Sequence, residues 1–389
     1  MRFRLFISLV VLSFFAIHIE ATNLVVVGAE QPQKYLPNLQ NKRVALLGNH
    51  TSLIQKQHLL DFLLKQQINV VAAFSPEHGF RGTADAGEQV KTSRDEKTGV
   101  PLLSLYDGKH KKPSASSVAQ FDILVVDIQD VGLRYYTYYI AMLKLMDVCA
   151  EYNKEIIVLD RPNPNGHYVD GPILQKKFYS GVGALPIPIV HGMTLGELAQ
   201  MINGEKWLSE GRTCKLQVIP CLNYTHQTEY LLPVPPSPNL PNNKAIYLYP
   251  SLCYFEGTTV SVGRGTPFPF QVFGHPKLTH APYSFIPRSR PGAKNPPLLN
   301  QRCFGYNLTT LNDKVAKSKK IDLSYLIHCY QHLKNEGRFF NAMFNLLIGV
   351  DYVRPMITNG ATAEEIQDRW QKDVEHFKEQ RKPYLLYEE

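Results

Sequence analysis

The sequence predicts an α/β protein with two domains: a Rossmann-like parallel sheet domain followed by a smaller α/β domain. Short apolar runs alternate with helical patterns as far as about residue 223, which is typical of parallel strands with helices on both faces. The alternation stops at the proline-rich stretch 231–241, where we place the domain boundary. A chain of 389 residues also exceeds the usual size of a single hydrophobic core. We therefore assign residues 22–230 to the first domain and residues 231–389 to the second.

The first 21 residues have the layout of a cleavable signal peptide. Arg2 and Arg4 precede an apolar run over residues 5–17, which is shorter than a membrane-spanning helix needs to be. An uncleaved anchor is the alternative. We predict a secreted protein, extracellular or periplasmic according to the host, with no membrane association after cleavage.

Polar clusters follow the predicted strands, which indicates a binding site. In parallel sheets, ligands bind at the carboxyl ends of the strands, so we expect these clusters to meet at one edge of the sheet. The last of the runs contains Pro188, which favours an edge position because proline cannot donate to a neighbouring strand. The five runs are Val44–Leu47, Val70–Phe74, Ile123–Val126, Ile156–Leu159 and Ile187–Val190.

Composition and motifs exclude several classes of function. The formal net charge is +8, but no basic run is interleaved with aromatic residues, so we predict no nucleic-acid partner. Neither a glycine-rich dinucleotide fingerprint nor a GxxxxGK[ST] motif is present, so we predict no cofactor. The six cysteines show no metal-like CxxC spacing. Cys149 is expected to be a buried thiol, while Cys214 and Cys221 flank a predicted strand that holds them too far apart to form a disulfide bond.

Carboxylic acids at the strand ends are candidates for acid catalysis. Glu77 follows the second apolar run, and apolar neighbours there would raise its pKa enough for proton donation near neutrality. Asp130 follows the third run, and a second carboxyl group facing the first is what cleavage of a glycosidic bond requires. Glu256 is the alternative second group. The sequence does not give the separation of the two groups, so retention and inversion both stay open.

A metal site is the alternative interpretation of the same region. His50, His78 and His191 could hold a metal ion together with Asp130. Their spacing matches no recognised ligand pattern, so we predict no resident metal and keep a metal-dependent hydrolase as an alternative.

Other polar residues in these clusters are candidates for substrate binding. Guanidinium groups bind carboxylates with two parallel hydrogen bonds, so one or two of the arginines could hold an acidic substituent while the others pair with aspartates. Tyr138 could stack on a sugar ring, although tyrosines at helical spacing more often belong to the core. The predicted binding residues are Asn49, His50, Arg81, Gln129, Arg134, Tyr138, Asp160, Arg161, His191, Asn239, Glu256 and Arg264.

Eight motifs in collinear order resemble the exo-β-N-acetylmuramidase family formerly known as DUF1343. They are NHT (49–51), PEHGFRGTADAGE (76–88), SLYDG (104–108), DIQDVGLRYYTY (127–138), DRPNPNG (160–166), HGMTLGEL (191–198), PPSPNLP (235–241) and FEGTTVSVGRGT (255–266). The resemblance implies a catalytic Rossmann-like domain, a C-terminal domain that closes the cleft, and an active site between them. It also implies release of terminal N-acetylmuramic acid from peptidoglycan fragments. The catalytic glutamate of the PEHG motif would be Glu77, with His78 beside it.

N-acetylmuramic acid carries groups that the predicted site residues could bind. Its lactyl carboxylate gives an arginine a function, and its 2-acetamido group could itself supply the nucleophile. Two departures concern specificity: Thr259 stands where an asparagine is expected, and DRPNPNGH (160–167) replaces DRPNPLGG. We predict a secreted glycoside hydrolase acting on muramic-acid-terminated glycans, with Glu77 as general acid. A non-catalytic sugar-binding protein is the other alternative, and no oligomeric state is predicted.

Overall fold

The structure is a computed structural model that describes residues 24–76, 80–81, 93–103, 105, 112–317 and 319–389. Glu77 and His78 lie outside the described residues, as does the predicted signal peptide at residues 1–21. The expectations for them stay predictions.

The strands and helices alternate in the first domain and segregate in the second. The strands are β1 (Val44–Gly48), β2 (Leu53–Ile54), β3 (Gln57–His58), β4 (Val70–Phe74), β5 (Ser93–Arg94), β6 (Pro101–Leu103), β7 (Ile123–Asp127), β8 (Glu155–Leu159), β9 (Lys215–Ile219), β10 (Val272–His275), β11 (Tyr283–Phe285) and β12 (Cys303–Asn307). The helices are α1 (Leu36–Leu39), α2 (Leu59–Lys65), α3 (Ala115–Val118), α4 (Tyr138–Glu151), α5 (Leu195–Gly204), α6 (Asn243–Leu252), α7 (Asp313–Ala316), α8 (Ser324–Leu333), α9 (Ala342–Ile348), α10 (Val353–Thr358) and α11 (Ala363–Arg381). Single 3-10 turns lie at Gly28–Glu30, Pro32–Lys34, Lys176–Phe178, Ser209–Gly211, Cys253–Gly257 and Lys382–Tyr384.

The first domain is built on a seven-stranded sheet with the order β5-β6-β4-β1-β7-β8-β9. All neighbours pair in parallel except β5 and β6. The chain moves outward from β1 through β4 to β6, and then returns to the other side of β1 at β7. The six parallel strands therefore have the Rossmann order 3-2-1-4-5-6, which reverses between β1 and β7. A ligand crevice is expected at this reversal, between the loops after β1 and β7. The predicted α/β fold is confirmed.

One predicted strand was wrong. Residues 187–190 do not join the sheet; Val190 forms isolated bridges with Leu133 and Asp170 instead. Pro188 has no N–H to give to a strand neighbour, and Val190 exchanges two backbone hydrogen bonds with Asp170, at 3.0 and 2.9 Å, instead of pairing with a strand of the sheet. The place beside β8 is taken by β9, whose alternating exposure is that of an edge strand.

Local sequence signals account for several helix ends. The sequence pattern Thr-x-x-Glu predicts a capping box, and Thr194 with Glu197 forms one at the start of α5, as Thr362 with Glu365 does at the start of α11. Gly349 ends α9 in the left-handed conformation at φ 78°, as expected for a C-cap glycine. Each of these helix ends is therefore specified by residues within one turn of it.

The second domain packs helices against a three-stranded antiparallel sheet with the order β10-β12-β11. It is joined to the first domain by a proline-rich connector. The exact position of the boundary at residue 231 stays a prediction. Within the part of the chain that the structure describes, no helix is both long enough and apolar enough to cross a membrane.

The six cysteines are all buried free thiols. Cys149 is wholly buried, as predicted, and burial raises the pKa of its thiol. Cys214 and Cys221 are not bonded to each other, which agrees with the strand between them.

Candidate active site

The ends of β1 and β7 are joined by a short chain of hydrogen bonds. Asn49 Oδ1 accepts from the backbone N–H and the hydroxyl of Thr51, at 2.9 and 2.6 Å. The hydroxyl of Thr51 in turn accepts from the backbone N–H of Gln129 at 2.9 Å. The side-chain nitrogen Nδ2 of Asn49 is buried and has no hydrogen-bond partner among the described residues. The crevice at the strand reversal therefore contains an unused hydrogen-bond donor.

Asp130 supplies an unused acceptor at the same sheet edge. Its Oδ1 accepts from the backbone N–H of Gly132 at 2.7 Å, while its buried Oδ2 has no partner within hydrogen-bond distance in the described part of the chain. Burial raises the pKa of Asp130 from 3.8 to about 7, against the opposing effect of the backbone N–H groups of Gly132, Val131 and Tyr139. A buried, incompletely bonded carboxyl group destabilises the fold, and such groups concentrate at functional sites.

The loop that holds Asp130 depends on a glycine. Gly132 has φ 76°, and a Cβ atom there would lie 2.2 Å from Asn163 Oδ1. Asn163 is itself fixed, because its Nδ2 donates to the carbonyl of Met193 at 2.9 Å. A side chain at position 132 would therefore displace the turn that positions the Asp130 carboxyl group.

A small cavity lies between the start of α4, the connector and the second domain. Its volume is about 60 Å³, which is the space of roughly two water molecules or one small substituent of a sugar. Three predicted binding residues line it: Tyr138, Asn239 and Arg264. The other lining residues are Tyr135, Tyr136, Thr137, Ser237, Leu240, Tyr249 and Phe270.

Arg264 is the predicted arginine that lines this cavity. Its Nε donates to Glu256 Oε1 at 2.6 Å, and its guanidinium lies 5.1 Å from the centre of the Phe270 ring. Burial opposes the charge, yet the attraction of Glu256 raises the pKa of Arg264 overall. Arg264 is therefore a fixed cation on the cavity wall. Because Glu256 is already ion-paired, the geometry favours an orienting role for it and leaves Asp130 as the better second carboxyl group.

The connector is held over the cavity by residues from the first domain. The hydroxyls of Tyr136 and Tyr138 both donate to the carbonyl of Pro236, at 3.0 and 2.9 Å. His50 Nε2 lies 2.8 Å from the carbonyl oxygen of Pro235. Tyr138 is only 1% exposed, so the geometry favours packing and cavity lining over the stacking on a sugar ring that was considered.

Asn239 fixes the other end of this connector. Its Nδ2 donates to the carbonyl of Gly292 in the second domain at 2.8 Å. The side chain is buried and lines the cavity, so it shapes the wall from the connector side.

Three other predicted arginines are engaged by protein groups. Arg161 pairs with Asp127 through two hydrogen bonds of 2.5 and 3.0 Å, both side chains being buried. Arg81 pairs in the same way with Asp95, at 2.9 and 2.8 Å. The wholly buried Arg134 donates to the carbonyls of Pro172, Ile187, Leu347 and Ile348. The geometry favours structural roles for all three arginines over contact with substrate.

Asp160 and His191 are also buried inside the protein. Asp160 accepts hydrogen bonds from Thr194, Gly196 and Tyr387, and burial raises its pKa to about 6. His191 Nδ1 accepts from the backbone N–H of Met193 at 3.2 Å, and burial lowers the pKa of the ring to about 3. Neither side chain is placed to meet a ligand in the cavity.

Gln129 likewise bonds to the backbone. Its Nε2 donates to the carbonyls of Asp130 and Pro162, at 2.8 and 2.7 Å. The side chain thus ties the loop after β7 to the loop after β8. Among the described residues, no group of three or more His, Cys, Asp or Glu side chains is placed to hold a metal ion. The alternative metal site includes His78, which lies outside that range.

The sequence analysis missed part of the cavity wall. Ser237, Tyr249 and Phe270 line it from three separate segments. Ser237 stands inside the PPSPNLP motif, so that motif was a usable signal. Tyr249 and Phe270 have the pattern of ordinary core residues, and no local signal distinguishes them.

Comparison with known proteins identifies the family of this chain. The model of the N-terminal domain of exo-β-N-acetylmuramidase NamZ matches residues 44–244, and the model of its C-terminal domain matches residues 247–387. A relative, the peptidoglycan β-N-acetylmuramidase NamZ of Bacillus subtilis (strain 168), is 36% identical over 375 residues, which cover 91% of this chain and 89% of the relative.

Two crystal structures of DUF1343 family proteins from Bacteroides fragilis NCTC 9343 are also similar. One is 62% identical with a TM-score of 0.88, and the match covers 94% of this chain and 100% of that protein. The other is 30% identical with a TM-score of 0.80, and the match covers 94% and 99% of the two chains. The chain therefore belongs to the exo-β-N-acetylmuramidase NamZ family of glycoside hydrolases, as its motifs predicted.

Proposed function

We propose that the protein releases terminal N-acetylmuramic acid from peptidoglycan-derived glycans, with Glu77 as general acid. The observation that carries this proposal is a cavity with a cationic wall, and a carboxyl group at the sheet edge supports it. Arg264 is a partly buried cation on the cavity wall, and Asp130 is a buried carboxyl group, one oxygen of which has no hydrogen-bond partner among the described residues. The printed name of the Bacillus relative supports the same substrate class.

The position of Glu77 in the chain supports its role. Glu77 follows Phe74 by three residues, and Phe74 pairs with Leu47, which lies two residues before Asn49. Three residues span at most about 10 Å, which limits how far from the end of β4 a residue at position 77 can be. As general acid it would protonate the glycosidic oxygen while the bond to the anomeric carbon breaks.

Asp130 would act on the sugar ring rather than on the leaving group. In its ionised form it would accept a hydrogen bond from the N–H of the 2-acetamido group and stabilise the positive charge that develops on the sugar ring. A pKa of about 7 means that Asp130 changes charge state near neutral pH. Product analysis is needed to distinguish retention, inversion and a substrate-assisted route. The distance between the two carboxyl groups would separate the first two, but Glu77 lies outside the described residues.

Arg264 would bind the lactyl carboxylate of the substrate. The cavity of about 60 Å³ suits one carboxylate-sized substituent but not a whole sugar ring, so the ring itself must lie outside it. Arg264→Gln should therefore lower kcat/KM for an N-acetylmuramide about 100-fold or more, and should leave the low activity on the matching N-acetylglucosaminide unchanged. An equal loss on both substrates would contradict this role.

The central experiment tests Glu77. A chromogenic N-acetylmuramide should be hydrolysed by the wild type, and Glu77→Gln should lower kcat by a factor of about 100 to 10,000 without abolishing binding. Glu96→Gln is the matched control, because Glu96 is an exposed glutamate of the same domain. Unchanged turnover in Glu77→Gln would refute the general-acid assignment.

We also propose that the protein is exported, with cleavage after about residue 21. The support is the charged start and short apolar run of the first 21 residues. Mass spectrometry of the protein from its native host should show a mature chain that begins near residue 22. A mature chain that retains Met1 would contradict cleavage.

A further inference from the structure

A second pocket lies at the seam between the two domains. Its volume is about 350 Å³, and it shares no lining residue with the cavity beside Arg264. The first domain contributes the loops that follow β8 and β9, which carry residues 166–169 and His226. The second domain contributes Lys319, which precedes α8, and the end of α11. A ligand in this seam pocket would therefore contact both domains.

The lining of the seam pocket is positively charged. Lys319, Lys378 and Arg381 carry three positive charges, and Glu389 is the acidic residue among the lining side chains. Lys378 Nζ is also paired with Glu375 Oε1 at 2.8 Å, so with this carboxylate included the excess is one positive charge. A concave site with such an excess attracts anions.

Two buried side chains in the pocket have unused hydrogen-bonding atoms. Arg381 is 3% exposed; its Nη1 donates to the carbonyl of Gly192 at 2.6 Å, but no described residue bonds to its Nε. His226 is 2% exposed; its Nε2 lies 3.0 Å from Glu197 Oε1, but its Nδ1 has no partner in the described part of the chain. Buried polar atoms without partners are costly, and a ligand that bonds to them would remove this cost.

Gly166 packs beside one of these atoms. A Cβ atom at this position would lie 3.2 Å from His226 Nδ1. A side chain at position 166 would therefore crowd the buried ring nitrogen, whereas glycine does not.

Glu389 indicates which chemistry the pocket accepts. Its carboxylate pairs with Arg381 Nη2, so an oxygen anion already occupies one of the donors. The Glu389 side chain is 50% exposed whereas Arg381 is 3% exposed, so the carboxylate is the partner that can move into solvent. A free anion can therefore displace this carboxylate from Arg381.

We propose that the seam pocket is a second binding site, which takes a small oxygen anion (a carboxylate or a phosphate group) in place of Glu389. The anion would accept from Arg381 Nε and Nη2 and lie close to the Lys319 and Lys378 ammonium groups. Charge-assisted hydrogen bonds of this kind are stronger than neutral ones. The bound anion would link the end of α11 to the loops after β8 and β9.

The test is a calorimetric titration of the full chain with two separate probes, inorganic phosphate and N-acetyl-D-alanine, at constant ionic strength. Saturable binding of one molecule is expected for at least one probe, and the probe that binds identifies the class of anion. Glu389→Gln should tighten binding up to about fivefold, because it removes the weak internal competitor. Absence of saturable binding to both wild type and Glu389→Gln would overturn the proposal.

Lysine variants test the location of the site. Lys319→Gln and Lys378→Gln should each weaken binding several-fold, whereas the control Lys372→Gln, an exposed position of α11 outside the pocket, should not. Equal affinities in all three variants would place the anion elsewhere and refute the assignment. Hydrolysis of the N-acetylmuramide should be unchanged in all of them, so this outcome is independent of the proposed catalytic site.

Discussion

Replacing Asp130 by asparagine should remove a loss of stability that grows with pH, and should lower the activity. In the folded protein the pKa of Asp130 is about 7, compared with 3.8 for the ordinary side chain. Because the folded-state pKa is raised, the carboxyl group contributes its stability when protonated, below about pH 4, and this contribution is lost as the pH rises through about 7. The shift of about 3 units corresponds to about 4 kcal/mol at 1.36 kcal/mol per unit.

The asparagine variant removes this pH dependence. Its side-chain carbonyl can still accept from the Gly132 N–H, and the new amide group replaces an oxygen that has no partner. The difference in the free energy of unfolding, variant minus wild type, should therefore rise by up to about 4 kcal/mol between about pH 4 and pH 8. Any cost of burying the amide is independent of pH and does not affect this slope. Turnover of the N-acetylmuramide should fall about 100-fold or more.

Urea unfolding of wild type and variant across this pH range measures the effect. Asp122→Asn is the control, because a hydrogen bond from the exposed Arg43 lowers the pKa of Asp122 to about 2, which places its titration below the range. The Asp122→Asn difference should be flat. A flat difference for Asp130→Asn as well would show that Asp130 is ionised throughout, and would refute the reasoning from its burial.

Three further changes separate structural from functional roles. Arg134→Met leaves four backbone carbonyls without their donor, so it should lower the free energy of unfolding in urea by about 3–5 kcal/mol, while turnover per folded molecule stays unchanged. A loss of turnover without a loss of stability would instead support contact between Arg134 and the substrate. Gly132→Ala places a Cβ 2.2 Å from Asn163 at φ 76° and should cost about 1–3 kcal/mol together with reduced kcat, so wild-type behaviour in both assays would disprove the glycine requirement. Tyr387→Phe removes a hydroxyl that donates to Asp160 at 2.6 Å and should lower stability by about 1–3 kcal/mol in thermal unfolding, with kcat retained; a selective loss of kcat would point to a catalytic role for Asp160.

Features that depend on neighbouring residues could be predicted from the sequence. The apolar runs that became β1, β4, β7 and β8 are continuous, because these strands are covered on both faces of a parallel sheet. The capping boxes depend on residues three positions apart, so they too can be recognised from the sequence.

The edge of the sheet was harder to predict. Residues 187–190 are apolar and β-branched, whereas the true edge strand β9 alternates between exposed and buried positions. Local pattern cannot distinguish an apolar segment that packs across a sheet from one that joins it. The decision rests on backbone partners elsewhere in the chain, such as Asp170 for Val190.

The same distinction between local and distant contacts applies to the candidate site. The sequence by itself determined that acids, amides and arginines follow the strands, and hence that a crevice at the sheet edge is polar. Only the tertiary structure decided which of these side chains are already occupied. Arg134 is bonded to residues 347 and 348, and Asp160 to Tyr387, all more than 200 positions away. Asp130 and Arg264 differ from Arg134 and Asp160. Among the described residues, one carboxyl oxygen of Asp130 has no hydrogen-bond partner, and Arg264 lines a cavity. The sequence cannot show which side chains are already bonded, because these bonds form only when distant segments of the chain pack together.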